Sequence, residues 1–356
     1  MDQIEEQGSV TTWQPDGIVL LMSTPSTPLS RQTFNTAQLF HEHPPRLVHP
    51  NKQLVYRIVC PPGTKHSGMI TFSRWQEMDI SACTIKDTAP IQVEHRADYF
   101  GYEPTPQNSN AVEWYLNFAH HEAFAFYGGP LFAQDEMQVA EHPALAALRE
   151  ALLKTTIQPL TVENGSATPI LVMGVERRCQ VATNPNPAEG RPFGLYGNHF
   201  ARATPEAIRQ ATKAIVPPTI SNILAIEAPV GGHGPYRLSE ICYILITAYS
   251  GFKAALLESS RERSTPPDVV IHTGFWGCGA YGGNRILMTL LQLLAARMAG
   301  ITRLVFHTGD ASGTPAFQQG LQVMAELVTH SSGKSFFELV SQIEAMRFQW
   351  GVGDGN

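Results

Sequence analysis

The sequence predicts an α/β protein, and three observations carry that prediction. From about Pro90 onward, short apolar runs suited to buried strands alternate with helical stretches. One of the strand-to-helix turns is unusually dense in glycine. The first 65 residues are instead rich in proline, with Pro25, Pro28, Pro44, Pro45, Pro50, Pro61 and Pro62, and read as an irregular layer. The expected organisation is an accessory, wrapping segment at 1–89 and a main domain at 90–350.

Within the proline-rich part, the apolar runs at 18–22 and 54–59 read as strands or buried anchors. Val112, Trp114, Leu116 and Phe118 alternate at period two, so this stretch is a strand. The runs at 169–173, 223–226, 269–271 and 304–306 are continuously apolar, as strands buried on both faces are. Helices fall between them. Pro143 opens one that runs to about 153, in the first-turn position that proline tolerates. A second covers 238–257, and a third follows the glycine-dense turn at 284–299 and is stopped by Gly300. Thr314-Pro315 starts a fourth, with Phe317, Leu321, Met324 and Val328 on one face. Ser335 and Glu338 form a capping-box pattern for the last. Residues 351–356 are expected to fray.

Composition narrows the function classes. The 356 residues are 43% hydrophobic and 16% charged, with a net charge of −6 and no Lys/Arg-rich cluster. Nucleic acid and anionic membrane are therefore not expected as partners through bulk electrostatics. Five widely spaced cysteines without a Cys-x-x-Cys argue against a disulfide framework or a zinc site. The acidic start lacks the features of a signal peptide, and no apolar run approaches the roughly eighteen residues of a membrane span. A cytoplasmic or nuclear location is the expectation.

The turn is Thr273-Gly-Phe-Trp-Gly-Cys-Gly-Ala-Tyr-Gly-Gly283. Glycine accepts positive φ and lets backbone approach a ligand, and the N–H groups at a helix start attract an anion, most often phosphate. A phosphate-binding loop is the favoured reading. Gly277, Gly279 and Gly282 also spell the dinucleotide fingerprint, but Asp310 lies beyond the usual spacing of about twenty residues. Too little chain follows it for a six-stranded cofactor domain, so an NAD-dependent oxidoreductase is disfavoured. The second chemical stretch is Gln134-Asp135-Glu136, after Tyr127-Gly-Gly-Pro130. Acidic residues there suit a helix N-terminus, and equally a carboxylate pair facing the glycine loop. Neighbours on a helix point about 100° apart, so one carboxylate would transfer a proton while the other holds sugar hydroxyls. His120-His121-Glu122 lacks the His-Glu-x-x-His spacing, and no metal or cofactor is expected.

Together the two stretches resemble the poly(ADP-ribose) glycohydrolases, a macrodomain family. Its signature reads T-G-N-W-G-C-G-A-F-G-G-D where this chain has residues 273–284. Ile226-Glu-Ala228 resembles the family's I-D-A, Ala248-Tyr-Ser-Gly-Phe252 its A-Y-C-G-F, and Asn117-Phe-Ala119 its D-F-A-N. Gly128-Gly129 with Gln134-Asp135-Glu136 resembles its glycine triplet followed by Q-E-E, and the collinear resemblance spans roughly residues 90–330. It implies a three-layer α/β/α sandwich with a mixed central sheet and an N-terminal accessory segment. It also implies hydrolysis of the ribosidic bond to ADP-ribose. Glu136 matches the catalytic glutamate, Asp135 the carboxylate on the ribose hydroxyls, and Gln134 a shaper of that pocket. Asn117, Gly128 and Gly129 match its ribose side. Gly274, Gly277, Cys278, Gly279, Ala280, Tyr281 and Gly282 match the diphosphate loop. Tyr196 is the candidate to stack on adenine, and Trp276 reads as packing behind the loop.

Departures cluster at the catalytic loop: Pro130 for the third glycine, a shorter gap to Gln134, His120 for asparagine, Asp135 for glutamate and Asn284 for aspartate. They favour a single ADP-ribose on a protein, such as one on an arginine or on ubiquitin, over the polymer. The alternative they leave open is a reader that binds ADP-ribose without cleaving it. Residues 177–220, poor in motifs, are the candidate substrate-selecting insert.

Overall fold

A computed structural model of the chain describes residues 27–81, 83, 88–106, 109–261, 263–330 and 334–353. The apolar run at 18–22 lies outside the described residues. In chain order the elements are β1 (Ser30–Asn35), α1 (Thr36–Glu42), α2 (Pro50–Val59), β2 (Met69–Arg74), β3 (Gln92–Arg96) and β4 (Ala111–Phe118). Then come α3 (Gln134–Glu141), α4 (Ala144–Leu152), the small hairpin β5 (Val162–Glu163) and β6 (Ser166–Ala167), β7 (Ile170–Val181), α5 (His199–Arg202), α6 (Pro205–Ala211) and β8 (Thr212–Ile226). The last are α7 (Leu238–Ser260), β9 (Asp268–Gly274), α8 (Arg285–Ala299), β10 (Arg303–His307), α9 (Thr314–His330) and α10 (Phe336–Ala345).

Eight strands form one sheet in the order β1-β2-β7-β8-β4-β9-β10-β3. The β1, β2, β7 and β8 neighbours are antiparallel, whereas β8, β4, β9, β10 and β3 run parallel. The sheet is therefore mixed, and β1 and β2 join it from within the expected accessory segment 1–89. Alternation sorts its side chains into two cores. Trp114, Leu116, Leu224, Ile226 and Ile271 pack with α7, α8, α9 and α10 on one face. Tyr115, Ile223, Ala225, Ile170 and Phe72 pack with α1 and α4 on the other. This is the expected α/β/α sandwich. A satellite cluster joins α2, α5 and α6 through Val55, Phe132, Phe200 and Ile208.

Two expectations need correction. The run at 54–59 is a buried anchor but not a strand: it lies in α2, where Pro50 takes the first turn, His49 caps it, and Val55 and Val59 are buried four residues apart on one face. The chain end does not simply fray. Gly351 donates its N–H to Gly282 O at 2.8 Å, and Trp350 stacks on Tyr236 at 4.1 Å, so residues 349–353 strap the glycine turn. Residues 354–356 lie outside the described residues. By length and composition α7 could cross a membrane, but 72% of its most apolar window is buried, which accounts for its hydropathy.

Candidate active site

The parallel strands β8, β4, β9 and β10 end on one edge of the sheet, and the segments leaving them build the site. Ligands in open α/β sheets bind outside these carboxyl ends. Two adjoining cavities lie there. The larger, about 670 Å³, is lined among others by Tyr99, Phe100, Gly274, Phe275, Cys278 and Arg285. The smaller, about 230 Å³, is lined by Asp135, Glu136, His120, Gly277, Ala280 and Tyr281. Phe118, Gln134, Tyr196 and Gly279 line both and mark the junction.

The glycine turn after β9 is rigid because it bonds to itself. Trp276 N–H donates to Gly274 O (2.7 Å), Cys278 N–H to Phe275 O (3.0 Å), Gly282 N–H to Gly279 O (3.0 Å) and Gly283 N–H to Gly277 O (2.9 Å). Gly277 has φ +75°, and a Cβ there would lie 2.6 Å from the Ala228 Cβ, so no other residue fits without strain. Among the described residues, the N–H groups of Gly279, Ala280 and Tyr281 find no acceptor within the protein. Asn284 caps α8 through Ile286 N–H and Leu287 N–H, both at 3.1 Å, which seats the turn on a helix N-terminus. Gln292 reaches back from α8: its amide donates to Gly274 O at 3.0 Å and accepts from the Thr273 hydroxyl. Arg285 lies over the Phe275 ring at 4.8 Å and brings a cation to the larger cavity. Trp276 is buried and donates to Ile226 O at 3.2 Å, so it packs behind the turn as expected.

The carboxylates sit in the first turn of α3. A second glutamine clamp fixes that turn: Gln134 donates to Leu116 O at 3.0 Å and accepts from Phe118 N–H at 2.7 Å, tying α3 to the end of β4. Gln134 thus spends its amide on the backbone. Asp135 accepts from Asn117 Nδ2 at 3.0 Å, and Glu136 accepts from Ala133 N–H at 3.0 Å. Both carboxylates are buried, and burial, with the Glu136 charge added, pushes the Asp135 carboxyl up to about 7. Asn117 itself is fully buried behind Asp135 and lines neither cavity.

Gly128 and Gly129 are not brought to the cavities. Val48 N–H and His49 N–H donate to Gly128 O at 3.0 and 2.9 Å, and a Cβ on Gly128 would lie 2.4 Å from Arg46 O. Gly128 is therefore packed under the N-terminal segment, and Gly129 turns back on Phe126 O at 3.0 Å. Gly282 also lines neither cavity, because the strap at 351–353 covers it.

One residue beside the site carried no sequence signal. Lys52 of α2 is buried, donates to Tyr127 O at 3.0 Å and lies 5.0 Å from the Phe132 ring centre. Burial lowers its ammonium to about 8, opposed by the charges of Glu136 and Asp135. A lone lysine in a proline-rich stretch looks like any solvated lysine until the fold is known.

Residues 169–314 match the family model described as poly(ADP-ribose) glycohydrolase (PARG), macro domain fold. They contain the glycine turn, β9 and α8 on either side of it, and the Gln292 clamp. Over this part the chain is similar to that family, and its fold is macro-domain-like. Among solved structures, this macro domain is similar to the poly(ADP-ribose) glycohydrolase of Thermomonospora curvata at 14% identity, with a TM-score of 0.40, covering 80% of this chain and 96% of that one. The Deinococcus radiodurans enzyme in complex with ADP-ribose is similar at 12% identity, with a TM-score of 0.41, covering 83% and 95%. No curated protein matches the chain.

Proposed function

We propose that this macro domain is a glycoside hydrolase that cleaves the ribosidic bond to ADP-ribose. The observation that carries the reading is a buried carboxylate pair and a set of free backbone amides lining one small cavity. The amides of Gly279 to Tyr281, at the start of α8, suit a diphosphate. A diphosphate at Gly279 would straddle the junction, with its adenosine in the larger cavity and its terminal ribose in the smaller. Arg285 adds a charge partner for the diphosphate in an otherwise acidic chain.

The ribose C1 then lies beside α3. Glu136 donates a proton to the departing group, and water completes the substitution at C1 after giving up its proton to the same carboxylate. Asp135, whose carboxyl burial raises to about 7, holds the ribose hydroxyls. General acid help of this kind contributes about 10²–10⁴ in rate. The developing oxocarbenium is stabilised by the diphosphate and by whichever carboxylate is ionised. A single ADP-ribose on a protein, such as one on an arginine or on ubiquitin, is the favoured substrate. The tethered Gly128 and the fixed φ of Pro130 support this, because Gly128, Gly129 and Pro130 do not line the cavity, which is bordered on this side by Leu131 and Ala133 instead.

The test is chromatographic release of free ADP-ribose from polymer and from arginine-linked mono-ADP-ribosylated protein, by wild type and Glu136→Gln. Release from the mono-modified protein that falls about 10²–10⁴-fold in the variant is expected. Tight ADP-ribose binding with no release from either substrate would sink the hydrolase in favour of a reader.

A further inference from the structure

The two histidines after β4 do not meet the glutamate that follows them. Glu122 is taken by Arg149 at 2.9 Å. The residue brought to them is Glu227. Phe118 and Ile226 are partners in the parallel pairing of β4 with β8, so the residues just beyond each strand emerge side by side. One ligand atom from each of His120, His121 and Glu227 lies within 4.8 Å of the others. His121 Nδ1 is 4.0 Å from Glu227 Oε1, and the two imidazole rings are 3.8 Å apart.

We propose that His120, His121 and Glu227 form a binding site for a divalent transition-metal ion of the zinc class, at the rim of the smaller cavity. Two imidazoles and one carboxylate are the ligand set of an open zinc site, whereas magnesium and calcium prefer all-oxygen shells. Glu227 is only 6% exposed, and burying a carboxylate without a cation is costly. Among the described residues it has no lysine or arginine partner. The Tyr281 hydroxyl donates to it from 3.4 Å, and the remaining contacts are with His121.

The chain departs from its family's motifs at two of these three positions, with His120 for asparagine in D-F-A-N and Glu227 for aspartate in I-D-A. Both changes install longer or softer donors. The His121 side chain is 50% exposed and free to turn inward, closing the gap to the roughly 2 Å ligand distances of zinc. His120 Nδ1 accepts the Glu122 N–H at 3.2 Å, a bond the ring exchanges for the ion. His120 and Tyr281 both line the smaller cavity, so an open coordination position borders the ribose site. The site does not depend on the hydrolase reading.

The experiment is calorimetric titration of Zn²⁺ alone into the full chain after chelator treatment, with Co²⁺ absorption as a report of the ligand set. No ADP-ribose is present, so the outcome is independent of turnover. One ion per chain is expected, weakened by about 10–100-fold or more in both His121→Ala and Glu227→Gln and unchanged in His41→Ala. His121 is half-exposed, so its variant stays informative even if Glu227→Gln folds poorly. Absence of one-to-one binding, or equal affinity in wild type and His121→Ala, would overturn the site.

Discussion

The glycine turn and the α3 carboxylates face the same cavity but are held in opposite ways. The turn is held mostly by neighbours: its four internal hydrogen bonds all join residues between Gly274 and Gly283. Of the carboxylates, Glu136 is bonded locally to Ala133 N–H, but Asp135 is held from a distance by Asn117 on β4, and both lie in the field of Lys52 on α2. A site of the first kind tolerates changes elsewhere in the chain. A site of the second kind makes acid–base chemistry depend on the proline-rich segment, which supplies both the lysine and the backbone that pins Gly128.

The largest expected effects separate chemistry from binding. Glu136→Gln should lower release of ADP-ribose by about 10²–10⁴-fold while leaving ADP-ribose affinity within a few-fold. Gly277→Ala should do the reverse. Its positive φ and the 2.6 Å approach to the Ala228 Cβ displace the turn, costing roughly 1–3 kcal/mol in ADP-ribose binding and stability. Calorimetric binding and single-turnover kinetics on both variants check the contrast. Equal losses of affinity in the two would merge what is separated here.

Legibility followed the same division. The turn, its strands and α8 could be read from sequence because glycine spacing, apolar runs and the Asn284 cap act within a few residues. The α/β alternation was legible because the runs at 223–226, 269–271 and 304–306 are continuously apolar, whereas the three-layer sandwich was implied by the resemblance. The corrections fall where tertiary contacts decide. The 54–59 run reads equally as strand or helix until Val55 and Val59 meet their partners. The strap at 351–353 is invisible because two glycines and one valine carry no periodicity. At the site, Asp135 and Glu136 are conspicuous in sequence, but Lys52 and the approach of Glu227 to His121 depend on register across strands far apart in the chain.

Asp135 tests how much stability the fold gives up for the pair. Its carboxyl is raised from 3.8 to about 7, chiefly by burial. A raised folded pKa contributes stability that is complete below the unfolded value and is lost as pH rises toward 7. Asp135→Asn cannot ionise, so it should be more stable than wild type by roughly 1–3 kcal/mol at pH 7.5, with the difference fading toward pH 4. Denaturant midpoints at the two pH values measure this. A variant no more stable at pH 7.5 would mean that Asn117 and Lys52 already compensate the charge.

The smallest effect expected is a shift in pH dependence from Lys52. Release should fall as pH rises past about 7, where the Asp135 carboxyl, raised chiefly by burial, loses its proton. A cation close to the pair favours the ionised form and holds that limb down. Removing it in Lys52→Met should move the limb upward by up to about one pH unit. The Tyr127 carbonyl loses its donor, which adds a stability cost of roughly 1–3 kcal/mol but does not move a pH limb. The ammonium, lowered to about 8, discharges above that pH, so the two proteins should differ most below pH 8 and converge above it. A limb unmoved by Lys52→Met would show that the pair is set by its own burial and by Asn117 alone.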